Sequence, residues 1–90
     1  MVTCRFIVHG RVQGVGFRYY TMQQAKQLGV KGWVRNNMDG TVEIIAQADK
    51  KTLQAFQTAV KKGSPASQVS HVRTKQMQTS HNYTSFQVLQ

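Results

Sequence analysis

The spacing of apolar residues switches twice along the chain, from every second residue to every third or fourth. Alternation is typical of a half-buried strand, and the longer period is typical of an amphipathic helix. The pattern predicts strands at Thr3–Gly10, Val30–Asn36, Thr41–Gln47, Gln68–Thr74 and Ser85–Leu89, and helices at Phe17–Leu28 and Lys50–Lys62. The resulting order is β-α-β-β-α-β, with the last strand region split in two.

Glycine, proline and Asx residues mark the breaks between these elements. Gly29 stands at the C-cap position of the first helix, and Asn37–Gly40 has the composition of a hairpin turn. Gly63–Ala66 ends the second helix. Such an order predicts an α+β sandwich of the ferredoxin-like type, with two helices on one face of an antiparallel sheet. We expect a single domain across residues 1–90.

Positive charge dominates the composition, because 12 Lys and Arg residues stand against three carboxylates and give a net charge of +9. Such an imbalance attracts anions, including nucleic acids, membrane surfaces and phosphorylated small molecules, without choosing among them.

The single cysteine, Cys4, excludes an internal disulfide and a thiolate zinc cluster. The sequence has no apolar run of membrane-spanning length and no signal-peptide pattern, so we expect a cytoplasmic protein.

The stretch from Gly10 to Arg18 carries the clearest chemical signal. Its three glycines before the helix allow the backbone to approach a ligand and turn its amides inward. The loop leads into a helix N-terminus, which favours negative charge, and Arg18 lies in the first turn with a guanidinium suited to two phosphate oxygens. These features describe a phosphate-binding loop. The alternative at this point is a glycine-rich turn with an exposed arginine, and neither the P-loop nor the dinucleotide-binding fingerprint fits.

A second informative stretch is Gly32–Gly40. Asn36 comes at the end of a predicted strand, just before a tight turn, where its side chain is held rigidly. A primary amide both donates and accepts hydrogen bonds, so it can orient a water molecule and also contact a phosphate oxygen. Asn37 is interpreted as a turn residue, and Asp39 and Gly40 are interpreted as hairpin residues with no part in catalysis.

Together the two stretches resemble the signatures of the acylphosphatase family. Gly10-Arg-Val-Gln-Gly-Val-Gly-Phe-Arg18 is similar to the pattern G-x-V-Q-G-V-x-F-R at every defined position. Gly32-Trp-Val-Arg-Asn-Asn-Met-Asp-Gly-Thr-Val42 is similar to the second signature, and Gly63–Val69 resembles a further conserved stretch of the family. The resemblance covers nearly the whole chain. Ala48 departs from it, because the family usually has glycine there, and this leaves the local loop in doubt.

The resemblance implies a small, common-type acylphosphatase that hydrolyses acyl phosphates without a metal or cofactor. By this resemblance Arg18 binds the phosphate together with loop amides, and Asn36 positions the attacking water. The implied phosphate-binding set is Gln13, Gly14, Val15, Gly16, Phe17 and Arg18. The leaving group is a carboxylate whose conjugate acid has a pKa of about 4, so no general acid is required. Whether the substrate phosphate takes the proton of the water stays open.

The expected partners follow from the same reasoning. They are a small acyl phosphate as substrate and inorganic phosphate as product and inhibitor. We expect a monomer without a specific nucleic-acid or membrane partner.

The three histidines (His9, His71 and His81) lack metal-ligand spacing and are interpreted as structural or surface residues. Cys4 is interpreted as a core residue, and Tyr19, Tyr20 and Trp33 line either an acyl pocket or the core.

Two rival functions remain. An RNA-binding module shares the β-α-β-β-α-β order and a basic charge, and Lys31-Gly-Trp-Val begins like an RNA-recognition octamer. Asn36 and Met38 stand where that octamer has base-stacking aromatics, which argues against this rival. The second rival is an acylphosphatase-like domain that binds carbamoyl phosphate within a larger maturation protein, and a chain of ninety residues is the argument against it.

Overall fold

A computed structural model describes residues 1–90 without a gap. The strands are β1 (Val2–Arg11), β2 (Lys31–Asn36), β3 (Val42–Ala48), β4 (Gln68–Met77) and β5 (Phe86–Val88), and the helices are α1 (Phe17–Leu28) and α2 (Lys50–Lys62). The predicted order is confirmed, including the split of the last strand region. Neither helix is both long and apolar enough to span a membrane.

The five strands form one sheet in the order β4-β1-β3-β2-β5. All neighbours are antiparallel except β2 and β5, which run parallel with Gly32 opposite Phe86 and Val34 opposite Val88. The ferredoxin-like sandwich is therefore confirmed with one difference, since the sheet is mixed and not wholly antiparallel. The difference arises because β4 ends at the end of the sheet where β2 begins. The chain crosses there to the far edge and enters β5 in the direction of β2.

Both helices cover the same face of the sheet, and each buries an apolar stripe against it. Phe17, Thr21 and Ala25 of α1 are buried, as are Leu53, Phe56 and Val60 of α2, whereas Leu28 at the end of α1 is exposed. The ring of Phe56 contacts Phe6 of β1 and Phe86 of β5 edge to face, with centroids 5.9 and 6.1 Å apart. This aromatic contact links α2 to two strands that are far apart in the sheet.

The two helices begin differently. Asp49 caps α2, because its carboxylate accepts hydrogen bonds from the backbone N–H of Thr52 at 2.8 Å and from the Thr52 hydroxyl at 2.9 Å. These bonds, the backbone one first, hold the pKa of Asp49 below its usual value. At α1 the N-cap is Gly16, which offers no side chain to the first amides of the helix. The start of α1 is therefore free to bind another acceptor.

The sheet face opposite the helices, here called the open face, is partly covered in its centre. All seven residues of β3 are buried, including Glu43, whose carboxylate accepts hydrogen bonds from Arg5 at 2.7 Å and from Arg35 at 3.0 Å. Gln47 is held by the segment that joins β4 to β5, since it donates to the carbonyl of His81 at 2.8 Å. Ala48 is buried at the end of β3, opposite Val2, so alanine fits where the family usually has glycine.

Candidate active site

The residues singled out from the sequence meet at one end of the sheet. β1 and β2 both finish there, at Arg11 and Asn36, and β5 finishes at the same end because it runs parallel to β2. The loop from residue 12 to 16 leaves β1 at this end and turns back into α1. The fold therefore brings together a glycine-rich loop, a helix N-terminus and the ends of three strands.

The loop is anchored by Val12, which is 1% exposed in the core. Gly14 and Gly16 have φ angles of 73° and 76°, a region that L side chains rarely adopt, and a Cβ atom at either would meet no neighbouring atom. These glycines are therefore required by the turn of the backbone and not by crowding. The backbone N–H groups of residues 13–16 donate no hydrogen bond within the protein. They are free donors beside the uncapped start of α1.

Side chains hold this loop against the rest of the molecule. The Gln13 side-chain amide donates to the carbonyl of Asn37 at 2.7 Å and to the carbonyl of Thr41 at 2.9 Å. The hydroxyl of Ser64, after α2, donates to the carbonyl of Val15 at 3.3 Å. The side chain of Gln13 thus fastens the loop to the β2–β3 hairpin, a role that the sequence did not reveal.

Arg18 is half-buried in the first turn of α1, and its guanidinium is oriented from the other end of the chain. Its Nη1 donates to the carbonyl of Leu89 at 3.0 Å. The N–H of Leu89 in turn donates to the carbonyl of Val34 in β2 at 2.8 Å. One nitrogen of the guanidinium is held in this way, and the remaining N–H donors are left for an anion.

Asn36 is the last residue of β2 and lies opposite Val42. Its Oδ1 is buried and has no hydrogen-bond partner. The hairpin that follows is rigid, because Asn37 donates to the Thr41 hydroxyl at 3.1 Å and that hydroxyl donates to Asp39 at 2.6 Å. The Thr41 hydroxyl and then the Thr41 backbone N–H lower the pKa of Asp39, in line with its interpretation as a hairpin residue. A buried acceptor without a partner in the protein is uncommon, and this oxygen is free to accept a hydrogen bond from water.

A pocket of about 210 Å³ opens between the loop and the start of α1. Its lining residues are Val12, Gly14, Gly16, Phe17, Arg18, Tyr19 and Val88. It brings together four of the predicted phosphate-binding residues, whereas Gln13, Val15 and Asn36 are not among its lining residues. No carboxylate, histidine or cysteine lines the pocket, so its electrostatic character comes from a guanidinium and backbone amides. Such a set binds tetrahedral oxyanions.

Comparison with known proteins places this geometry in a family. The family model described as Acylphosphatase matches residues 4–88. The chain belongs to the acylphosphatase family. It is 43% identical to an acylphosphatase of Bacillus licheniformis over 88 residues, which covers 98% of each chain. The crystal structure of an acylphosphatase from Bacillus subtilis superposes with a TM-score of 0.96 at 41% identity, covering 100% of both chains.

The acylphosphatase fold also occurs inside a much longer protein. The crystal structure of full-length HypF in its phosphate- and nucleotide-bound form matches this chain with a TM-score of 0.80 at 28% identity. The match covers 100% of this chain and 12% of that one. The relatives from the two Bacillus species, by contrast, match over nearly their whole length.

The acylphosphatase signatures do not point to every residue of the pocket. Val88 lines it and Leu89 binds Arg18, but Leu89 does so through a backbone carbonyl, which any residue carries. Tyr19 lines the pocket and is 62% exposed. Tyr20 instead packs against the core, where its hydroxyl donates to the carbonyl of Ala59 at 2.7 Å and burial raises its pKa.

The remaining reactive side chains lie away from the pocket. The rings of His9 and His71 stack on one another with centroids 4.1 Å apart, and His81 contacts Tyr83 edge to face. No three His, Cys, Asp or Glu side chains lie close enough together to hold a metal ion. Cys4 packs against the core, as predicted, and burial raises the pKa of its thiol.

Proposed function

We propose that this protein hydrolyses the carboxyl–phosphate bond of acyl phosphates, with the phosphate bound between the loop and the start of α1. The observation that carries the proposal is the presence of the Arg18 guanidinium and free backbone amides around one pocket. Membership of the acylphosphatase family supports the same reaction. The amides of Gln13, Gly14, Val15, Gly16 and Phe17 and the side chain of Arg18 are the proposed phosphate ligands.

In the proposed complex the phosphate lies against donors that need no rearrangement. The carbonyl of Leu89 holds one nitrogen of Arg18, so the guanidinium plane is fixed before substrate arrives. The Gln13 side chain donates to the carbonyl of Asn37 in the hairpin, and the Ser64 hydroxyl donates to the carbonyl of Val15 in the loop. The backbone amides of the loop are therefore fixed as well. Charge on the oxygens of the transferring group is thereby stabilised by preorganised donors, which is the main source of catalysis in phosphoryl transfer.

Asn36 is proposed to position the attacking water. Its unpaired Oδ1 supports this role, since a water molecule can donate a hydrogen bond to it. Asn36 directly precedes Asn37, whose carbonyl is bonded to Gln13 of the loop. A water bound at Asn36 would therefore lie at a fixed position relative to the phosphate, as positioning catalysis requires.

In the proposed step, the oxygen of water attacks phosphorus while the bond between phosphorus and the carboxyl oxygen breaks. The electron pair of the broken bond leaves with the carboxylate, which is a weak base and needs no proton. We propose that a phosphate oxygen accepts the proton of the water. Neither a metal nor a cofactor has a part in this mechanism, which the chemistry of the lining residues supports.

We also infer that the protein acts as a monomer in the cytoplasm, with inorganic phosphate as product and competitive inhibitor. The net charge of +9 supports the monomeric state, because self-repulsion opposes association of identical chains. The proposed site also supports inhibition by phosphate, because the product retains the tetrahedral oxyanion that the loop binds.

Steady-state hydrolysis of benzoyl phosphate by the purified protein, with EDTA present, tests the proposal. Arg18→Ala should lower kcat/KM by about 10³-fold and weaken inhibition by inorganic phosphate, because the guanidinium contacts the phosphate in ground and transition states. Arg18→Lys should rescue little, since an ammonium cannot bind two oxygens in one plane. Lys26→Ala is the matched control, because it removes an exposed cation from the last turn of the same helix.

Three results would contradict the proposal. The first is activity that EDTA abolishes and Mg²⁺ or Zn²⁺ restores. The second is inorganic phosphate that fails to compete with benzoyl phosphate. The third is an equal loss of activity in Arg18→Ala and Lys26→Ala, which would trace the effect to net charge and not to the pocket.

A further inference from the structure

The register of the sheet aligns side chains from four strands in rows across the open face. Trp33 of β2 lies opposite Ile45 of β3, which lies opposite Arg5 of β1, which lies opposite Lys75 of β4. Directly opposite residues share a face of the sheet, so the row carries an aromatic ring at one end and cations at the other. Four adjacent strands span about 14 Å at the usual strand spacing of about 4.8 Å.

A second row lies beside the first. Arg35 of β2 is followed across the sheet by Glu43, Ile7 and Arg73. Glu43 is the only carboxylate on this face, and it is bonded to Arg5 and Arg35. Both carboxylate oxygens of Glu43 are therefore paired with arginines. Arg73 and Lys75 make no ion pair, and they carry the uncompensated charge of the edge strand.

Two cavities lie along these rows. A basic cavity of about 270 Å³ is lined by Arg5, Ile7, Arg73, Thr74 and Lys75. An aromatic cavity of about 370 Å³ lies between Trp33 and the segment that joins β4 to β5, and its lining includes His81 and Tyr83. The guanidinium of Arg35 lies over the Trp33 ring, 5.1 Å from its centroid. The open face thus offers a site for anions and, on the same surface, a site for a flat ring.

We propose that the open face binds single-stranded nucleic acid without sequence preference. Phosphates contact Arg73 and Lys75 at the basic cavity, and a base stacks on Trp33 at the aromatic cavity. A positively charged surface combined with aromatic stacking is the usual design of proteins that bind single strands. The surface is separate from the proposed active site, which lies between the loop and α1. This inference therefore does not depend on the proposed hydrolysis.

Charge and shape favour a single strand over the other large anions. An anionic membrane requires several apolar side chains next to the cations, but of the exposed apolar residues in the strands only Met77 shares this face with Arg73 and Lys75. A duplex hides the faces of its bases and leaves the aromatic cavity unused. The sequence argues against an RNA-binding module because Asn36 and Met38 stand where its octamer has base-stacking aromatics. The structure brings two further aromatic rings, those of His81 and Tyr83, to the same cavity as Trp33 from outside that strand.

The probe is an oligothymidylate of about 12 nucleotides, a length within the site sizes known for single-strand binders. Trp33 is the only tryptophan in the chain, so its emission reports directly on the aromatic cavity. Titration at low salt should quench this emission, and anisotropy of a labelled oligonucleotide should give the same affinity. The logarithm of the association constant should fall linearly with the logarithm of salt concentration.

Two double variants with equal charge form the matched pair. Arg73→Gln with Lys75→Gln should weaken binding at least about fivefold and make the salt slope shallower by about 1.4, which is 0.7 for each lost phosphate contact. Lys61→Gln with Lys62→Gln, in the last turn of α2, should change affinity less than about twofold. This variant removes the same net charge from the face of the sheet that the helices cover. Both should hydrolyse benzoyl phosphate as the parent does, which verifies their folding.

Several outcomes would overturn the proposal. Equal weakening in the two double variants would trace binding to net charge. Unchanged Trp33 emission at saturation would exclude stacking. Displacement of the oligonucleotide by duplex DNA, polyglutamate or anionic vesicles at equal charge concentration would assign the face to another anion. Release by inorganic phosphate, compared with chloride at matched ionic strength, would place the oligonucleotide in the pocket of Arg18 instead.

Discussion

Asn36 combines two properties that rarely occur together, a buried side-chain oxygen and no partner for it. Leaving a buried acceptor unpaired costs about 1–3 kcal/mol, so the fold is less stable than it would be with an apolar residue there. Such a cost is typical of functional positions, where stability is given up for activity. The proposed water at Asn36 would satisfy the oxygen when substrate is bound.

Asn36→Ala should lower kcat for benzoyl phosphate by about 10²-fold and leave the inhibition constant for phosphate nearly unchanged, since the water matters when the bond forms. Its thermal stability should stay the same or rise, because the unpaired oxygen is gone. Asn37→Ala is the control. It removes the hydrogen bond to Thr41 and should lower the melting temperature with a smaller effect on kcat. Normal turnover or simple unfolding of Asn36→Ala would remove its catalytic assignment.

At the residue scale, the sequence indicated the residues that line the pocket better than the hydrogen bonds that hold them in place. The glycines at 14 and 16 and Arg18 were predictable because their chemistry depends on residue type. The support from Leu89 was not, because a backbone carbonyl leaves no trace in the sequence. The clamp formed by the Gln13 side chain was missed for a related reason. Its acceptors are carbonyls in a hairpin 24 and 28 residues away.

Among the elements, β5 has the most direct connection to the pocket. This three-residue strand adds to the edge of β2, supplies Val88 to the lining and leads to the carbonyl that holds Arg18. Its only core side chain is Phe86, which contacts Phe56. Short edge strands are held weakly, so the position of Arg18 depends on an element with little stability of its own.

Removal of Leu89 and Gln90 should therefore impair catalysis more than folding. We expect kcat/KM for benzoyl phosphate to fall about 10-fold to 10²-fold, because the guanidinium loses its fixed orientation. The melting temperature should fall by only a few degrees, since Phe86 stays in the core. Removal of Gln90 alone is the control and should have little effect. Full activity without Leu89 would show that its carbonyl does not position Arg18.

The bounds of a helix or strand were predictable from the sequence where burial of a single face determines its apolar pattern. Helix α2 has a continuous stripe of Leu53, Phe56 and Val60 and a capping Asp49, so its bounds were correct from the sequence. The direction of β5 was not predictable, because it depends on where β4 ends in space. The burial of both faces of β3 was also missed, since Glu43 and Gln47 look like solvent-facing residues until their partners are known.

At the scale of the whole molecule, all three carboxylates have partners. Asp39 and Asp49 accept hydrogen bonds from nearby threonines. Burial pushes the pKa of Glu43 upward, but hydrogen bonds from Arg35 and Arg5 outweigh it and leave the pKa below its usual value. The pKa of each carboxyl is thus lower in the folded chain than in the unfolded one. Protonation therefore favours unfolding.

We expect the free energy of unfolding to stay constant above about pH 5 and to decrease as the pH falls toward about 3. The carboxyls of the unfolded chain bind protons at a higher pH than those of the folded chain, so acid favours the unfolded state. Glu43→Gln should lower stability at pH 7 by about 1–2 kcal/mol, a modest value because both arginines are half-exposed. It should also make the acid decline shallower. Denaturant titrations at several pH values measure both effects.

Asp49→Asn is the matched control for Glu43→Gln, since asparagine caps a helix about as well as aspartate. It should stay close to the parent at pH 7. An acid decline that Glu43→Gln leaves unchanged would exclude Glu43 as a source of the pH dependence.

The bond between Arg18 and Leu89 joins residues 71 positions apart. During synthesis on a ribosome, residues 1–85 can emerge with both helices and four of the five strands already made, yet the arginine still lacks its acceptor. The proposed pocket is completed only after β5 and Leu89 have been translated. A growing polypeptide would therefore gain catalytic competence only after this segment has emerged, and turnover would report that β5 has joined the sheet.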